Sequence, residues 1–210
     1  MPRTKTSARW LRQHFDDEFV KRAQKDGYRA RAAYKLKEID ERDRLFRPGL
    51  TVVDLGAAPG SWSQYSASRV GPKGRVIAVD ILPIEPITGV DVIQGDLSES
   101  AMLDLISAHL NERRADLVIS DLAPNISGIV AADQARHLEL AEGVLRIADQ
   151  VLMTAGGVLL KVFQGEAQNF VTKAMRRRFD KVVVRKPLAS RQQSREIYLL
   201  GRGFGGPPSN

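Results

Sequence analysis

The sequence predicts an α/β fold: one seven-stranded, mostly parallel sheet with helices on both faces and one antiparallel strand. Three observations carry that reading. Apolar runs of strand length alternate with segments of helical periodicity along most of the chain. The first run ends in a glycine-rich turn that opens a helix. The last two runs are joined by a loop too short for a crossover, so they pair antiparallel.

Residues 1–12 read as a basic, poorly ordered arm, and 13–25 and 28–44 as helices. In the second helix Ala32, Leu36 and Ile39 share a face and leave Arg31, Lys35 and Glu38 on others. Arg47-Pro48-Gly49 ends that region. Strand runs follow at Thr51–Leu55, Arg75–Asp80, Val90–Gln94, Ala115–Ser120, Gly157–Phe163, Lys181–Arg185 and Glu196–Leu200. Helical segments at 61–70, 98–111, 133–153 and 166–179 separate most of them. Residues 203–210 read as a flexible tail. No repeat or linker divides the chain. The expectation is a single domain over 1–210, with residues 1–47 as a basic N-terminal extension.

Of the 210 residues, 43% are hydrophobic, enough for one real core. Cysteine is absent, which excludes disulfides and thiolate metal sites and suits a reducing cytoplasm. No apolar run approaches ~18 residues, so no membrane span is expected. Charge is segregated. Residues 1–47 hold 14 Lys/Arg against 8 Asp/Glu, residues 48–172 hold 8 against 15, and residues 173–210 hold 10 against 2. An acidic centre between two basic ends points to a polyanion partner, RNA or DNA. Arg3, Lys5, Arg9 and Arg12, and Arg176, Arg177 and Arg178, are the expected phosphate-facing clusters.

The turn Gly56-Ala57-Ala58-Pro59-Gly60-Ser61, followed by Trp62, is the most informative segment. Glycines there let the backbone approach a ligand where a Cβ would clash. The pattern is not GxGxxG, which argues against a pyrophosphate cradle. It suits a smaller ligand with an amino-acid end, such as S-adenosylmethionine. Ligands in such sheets bind beyond the carboxyl ends of the strands. Four acids sit there: Asp54, Asp80, Asp96 and Asp121. Asp80 has the spacing of a carboxylate that accepts from ribose hydroxyls, and Asp96 can accept from an adenine amine. A single such Asp is commonly a helix cap; four in successive units are harder to dismiss. Asp121-Leu122-Ala123-Pro124-Asn125 is a stiffened loop able to hold a catalytic group. Lys161 interrupts an apolar strand, where an unpaired charge costs several kcal/mol. It is expected at the strand's end, facing the cleft near Asp121. Glu196 poses the same question in its own strand.

On these residues the chain resembles the FtsJ/RrmJ family of S-adenosylmethionine-dependent RNA 2′-O-ribose methyltransferases, over roughly residues 9–202. The matching segments are Arg31-Ala32-Ala33-Tyr34-Lys35-Leu36, Val52 to Gly60, Ser120 to Asn125, Lys161-Val162-Phe163-Gln164-Gly165 and Ser194-Arg195-Glu196. The resemblance implies a Rossmann-like class I methyltransferase fold. It implies a catalytic set of Lys35, Asp121, Lys161 and Glu196, and a cofactor site of Gly60, Trp62, Asp80, Asp96 and Asp121, to which Asp54 near the end of the first strand and Gly56 of the turn are added as cofactor-site candidates. It also implies the branch that acts on 23S ribosomal RNA, at a uridine ribose of the A-loop in the large subunit. Ser61 departs from the family's usual glycine and is expected to cap the following helix.

The implied chemistry is in-line transfer of a sulfonium methyl to a 2′-oxygen, with Lys161 handling the proton. Lys35 disfavours a charge on Lys161 and Asp121 favours one; the sequence leaves both roles, base and charged orienter, open. Glu196 is expected to position the ribose or the lysines. No metal is implied: His14, His109 and His137 are scattered. A dinucleotide oxidoreductase is opposed by the missing GxGxxG. A non-catalytic ribosome-assembly protein is opposed by the intact catalytic set. A methyltransferase of the tRNA anticodon loop is the nearest competitor. A monomer is expected.

Overall fold

The computed structural model describes residues 18–124, 127–191 and 194–207. The expected N-terminal arm, the start of the helix at 13–25 and the end of the tail lie outside them. Two helices, α1 (Glu18–Lys25) and α2 (Ala33–Asp43), precede the sheet. There follow β1 (Thr51–Leu55), α3 (Ser61–Val70), β2 (Arg75–Asp80), β3 (Val90–Gln94), α4 (Ser100–Leu110) and β4 (Ala115–Ser120). Then come α5 (Val130–Val151), β5 (Leu152–Phe163), α6 (Glu166–Arg176), β6 (Phe179–Arg185) and β7 (Glu196–Phe204). No helix among them is long and apolar enough to cross a membrane.

The strand order is β3-β2-β1-β4-β5-β7-β6. Six strands run one way, and β7 runs against both of its neighbours, β5 and β6. The chain reverses its direction of travel across the sheet between β1 and β4, which are hydrogen-bonded to each other. Such a reversal leaves a crevice above the carboxyl ends of those two strands. The turn after β1 and the loop after β4 flank it.

Strand residues alternate between two buried layers. Val53, Leu55, Val118, Leu160 and Val162 pack with α4, α5 and α6. Val52, Leu117, Ile119, Leu159 and Tyr198 pack with Leu36 and Ile39 of α2 and Trp62 and Tyr65 of α3. Asp40 is buried between those two helices. It accepts from the Phe46 N–H (3.0 Å), the Tyr65 hydroxyl (2.7 Å) and Arg69 Nε (3.0 Å), so no lone pair is stranded there.

Several expected boundaries need correction, among them the end of the helix expected at 166–179, which stops at Arg176 so that Phe179 already opens β6. Residues 28–32 are turn, not helix. Arg29 is instead drawn across to Pro59, Glu85 and Pro86, whose carbonyls accept from its guanidinium at 2.9, 2.7 and 2.9 Å. Helix α5 begins at Val130 and runs straight into β5 without a loop. β5 itself starts at Leu152: Ala115 pairs with Leu152 but Leu117 with Gly157, and the intervening residues bulge out, with Ala155 at φ +65°. Finally, residues 203–204 are strand rather than tail. Phe204 pairs with Phe179, their rings 5.4 Å apart, and the Gly205 N–H donates to Arg178 at 2.9 Å.

Candidate active site

Because β7 opposes the other strands, its first residue, Glu196, lies at the edge where the others end. Lys161 and Tyr198 are directly paired across β5 and β7, as are Phe163 and Glu196. Asp121 follows β4 immediately. Lys161 Nζ lies 3.0 Å from Asp121 Oδ1 and also donates to the Asp121 carbonyl. The Tyr198 hydroxyl donates to the same Oδ1 at 2.7 Å. Lys35, in the first turn of α2, lies 2.7 Å from Glu196 Oε1, and its Nζ stands 6.0 Å from the centre of the Tyr198 ring. The four side chains thus form two neighbouring ion pairs around one tyrosine. Lys161 is only 9% exposed, so its counterion is required rather than ornamental.

Tyr198 is the residue the sequence reading missed. Burial first, then Asp121 and Glu196, hold its hydroxyl well above the ordinary tyrosine range, so it remains a donor. The available signal was spacing: two residues from Glu196 in a strand places it on the same face.

The turn after β1 adds the ligand-facing candidates. Gly56 and Gly60 have φ of +76° and +106°, conformations open to glycine. A Cβ on Gly56 would stand 2.2 Å from Leu122, and one on Gly60 would stand 2.5 Å from Ile87 and 3.1 Å from Arg29. Left-handed backbone at both positions, with these side chains close by, therefore already favours glycine, a reason not read from the sequence. Gly60 is the N-cap of α3 and Ser61 its first residue, with no side-chain cap. The expected Ser61 cap is thus replaced by orphan backbone N–H groups at the helix start, suited to an anionic end of a ligand.

Asp80 Oδ2 accepts from the Ala58 N–H and Oδ1 from the Leu82 N–H, both at 2.8 Å. Each oxygen keeps a second lone pair for a hydroxyl. Asp96 accepts from the Ser98 N–H at 2.8 Å, which holds its carboxyl below the usual range. The Trp62 side chain is buried; its Nε1 donates to Ala32 at 2.8 Å and its ring lies 5.7 Å from that of Tyr198. It supports the site from behind. Asp54 is 1% exposed and accepts from the Ser63 hydroxyl at 2.6 Å. Burial pushes its carboxyl up to about 7, helped by Asp121 and Asp80 and opposed by Ser63. Its side chain holds the turn onto α3 rather than facing a ligand.

A family model described as FtsJ-like methyltransferase matches residues 28–204, a span that takes in every one of these side chains. The chain belongs to the FtsJ-like methyltransferase family. It is 56% identical over 204 residues to "Ribosomal RNA large subunit methyltransferase E" of Marinobacter nauticus, covering 97% of this chain and 99% of the relative. To the protein of the same name from Pseudomonas aeruginosa PAO1 it is 55% identical over 206 residues, 98% and 100% of the two chains. Among solved structures, a ribosomal RNA methyltransferase from Plasmodium falciparum superposes with a TM-score of 0.78 at 28% identity, covering 85% of this chain and all of the other. Fibrillarin of Aeropyrum pernix, solved with natively bound S-adenosyl-L-methionine, shares the fold at 17% identity and TM-score 0.55, over 81% and 73% of the chains.

In this FtsJ-like methyltransferase one histidine also borders the site. His137 of α5 is 1% exposed, stacks on Phe163 at 4.6 Å, and accepts the Phe163 N–H at 3.1 Å. Burial first, then the charge of Lys161, pushes it down to about 4. The imidazole is therefore neutral at neutral pH and remains an acceptor, fixing the end of the strand that carries Lys161.

Proposed function

We propose that this protein transfers a methyl group from S-adenosylmethionine to a ribose 2′-hydroxyl of 23S ribosomal RNA, at an A-loop uridine of the large subunit, as a cytoplasmic monomer. The reading is supported by relatives named for large-subunit ribosomal RNA that match more than half the residues over nearly the whole chain. The observation that carries the chemistry is the Lys161–Asp121 pair, 3.0 Å apart at the carboxyl edge of the sheet.

The donor set fits the cofactor: lone pairs on Asp80 and Asp96 for hydroxyl and amine hydrogens, free N–H groups at the start of α3 for a carboxylate, and Asp121 for a cationic centre. When bound, S-adenosylmethionine supplies an activated sulfonium methyl. The protein's part is to hold the 2′-oxygen in line and manage its charge. Lys161 Nζ has three donors, and its bonds to Asp121 leave one for a substrate oxygen. Asp121 thus holds the Lys161 side chain at the carboxyl edge, with one N–H aimed at the cleft. We therefore assign Lys161 the tasks of orienting the 2′-oxygen and stabilising negative charge as it develops there, the proton leaving late to solvent. Lys35 and Glu196 neutralise each other and form the wall against which the ribose rests.

Lys161→Ala should abolish methyl transfer while leaving the cofactor dissociation constant within a few-fold. Tritiated-methyl transfer to unmethylated large subunits and calorimetry with S-adenosylmethionine test this together. Substantial retained turnover would remove Lys161 from the mechanism.

A further inference from the structure

A groove of about 580 Å³ opens beside the catalytic edge, between the first turns of α5 and α6. Val130, Gln134, Leu138, Gly165, Phe170 and Arg195 contribute to its walls. It adjoins the site through the backbone: Arg195 precedes Glu196, and its carbonyl accepts the Gln164 N–H at 2.8 Å.

We infer that this groove seats the base of a nucleotide neighbouring the methylated one. The inference rests on the RNA methyltransferase reading above. Phe170 is 61% exposed, although Ala167, Val171 and Met175 of the same helix are buried. Packing does not account for it. Ile129 and Val130, each 65% exposed, extend the apolar surface. Exposed apolar surface of this kind marks an interaction site, and an aromatic face offers a stacking platform for any base. Arg195 is exposed, and its guanidinium makes no ion pair among the described residues. It supplies a phosphate contact on the side nearest Glu196. Glu166, on the α6 side, repels phosphate, so the two charges orient the strand with its backbone towards Arg195 and its base towards Phe170. Gln134 Oε1 accepts the Ala167 N–H at 3.1 Å. That bond fixes the amide and leaves its NH₂ to donate to a base carbonyl. A strand that places a ribose at Lys161 has to run out over an adjoining surface, and this groove adjoins.

The experiment is steady-state methyl transfer to unmethylated large ribosomal subunits. Phe170→Ala should raise KM for the subunit about 5- to 150-fold, the range of one base stack. Its kcat and cofactor dissociation constant should stay within two-fold of wild type. Phe170→Trp should restore KM, and Phe170→Leu should not. An unchanged KM in the alanine variant, or full rescue by leucine, overturns the inference. A photoreactive benzoylphenylalanine at position 170 should crosslink to a nucleotide adjoining the methylated ribose. A crosslink to a ribosomal protein instead, or none, also overturns it. If the wild-type protein transfers no methyl to these subunits, the RNA methyltransferase reading itself fails, and the inference falls with it.

Discussion

Two buried side chains next to the site pull the pH dependence of stability in opposite directions. Asp54, raised to about 7, keeps its proton in the folded protein where the unfolded chain, near 3.9, has lost it. Between those values stability falls as pH rises. His137, lowered to about 4, stays neutral in the folded protein where the unfolded chain, near 6.5, is protonated. Over that window stability falls as pH falls. The two trends offset in wild type. Asp54→Asn keeps the shape of the neutral acid and removes one of them, so its melting temperature should climb more steeply from pH 4.5 to 7 than that of wild type. A melting profile parallel to wild type would show that Asp54 ionises normally. Lys161 and Glu196 were legible in the sequence because a charge within an apolar strand has few explanations. Tyr198 was not, since tyrosine suits any strand, and neither Asp54's burial nor His137's bond to Phe163 leaves a mark on sequence spacing.

At the scale of elements, the alternation of strands and helices was legible because each apolar run is bounded by glycine, proline or charge. The junctions were not. Val151 and Leu152 continue one apolar run, so the passage from α5 into β5 carries no signal, and the bulge after it depends on what β4 offers for pairing. Residues 28–32 look helical, but Arg29 finds three carbonyls on two distant loops, and that tertiary reward outweighs local propensity. Arg29 thereby fastens the Pro59 turn to the loop after β2 that Asp80 also holds. Arg29→Ala should lower the melting temperature by about 2–8 °C, the effect of losing roughly 1–2 kcal/mol in a chain of this size. It should also weaken S-adenosylmethionine about ten-fold, through a loosened turn. Calorimetry that finds cofactor affinity within two-fold of wild type would show the turn to be rigid without the clamp.

For the whole molecule, the segregated charges divide between the two edges of the sheet. Helix α6 starts at the edge that carries Asp121 and Glu196 and descends, so Arg176, Arg177 and Arg178 lie at the opposite edge, far from Lys161. Arg178 is moreover bound by Asp149 at 2.8–3.1 Å. The cluster expected from sequence to face phosphate is therefore partly structural, because counting charges does not reveal which end of a helix faces the cleft. Lys186, Arg191 and Arg195 occupy the same edge as Glu196, with Arg31 held there by the Ala189 carbonyl. Replacing Lys186, Arg191 and Arg195 by glutamine should flatten the dependence of subunit affinity on salt. Each phosphate that the variant no longer neutralises takes about 0.7–0.9 off the slope of log affinity against log salt. Replacing Arg176 and Arg177 should change it less. A salt titration of binding for the two variants decides between the edges, and the reverse ranking would place the RNA on the far one.

The position of β7 also bears on the order in which the protein is made. It is the last strand of the sheet to leave the ribosome, yet it fits between β5 and β6, which are synthesised before it. Until it arrives, both of those strands present unpaired edges, and Lys161 lacks the tyrosine and the glutamate beside it. A chain interrupted before Glu196 would thus carry the turn after β1, Asp121 and Lys161 but no closed sheet around them. Such a fragment exposes edges that invite aggregation and proteolysis. Premature stop codons within this last strand should therefore leave no long-lived fragment.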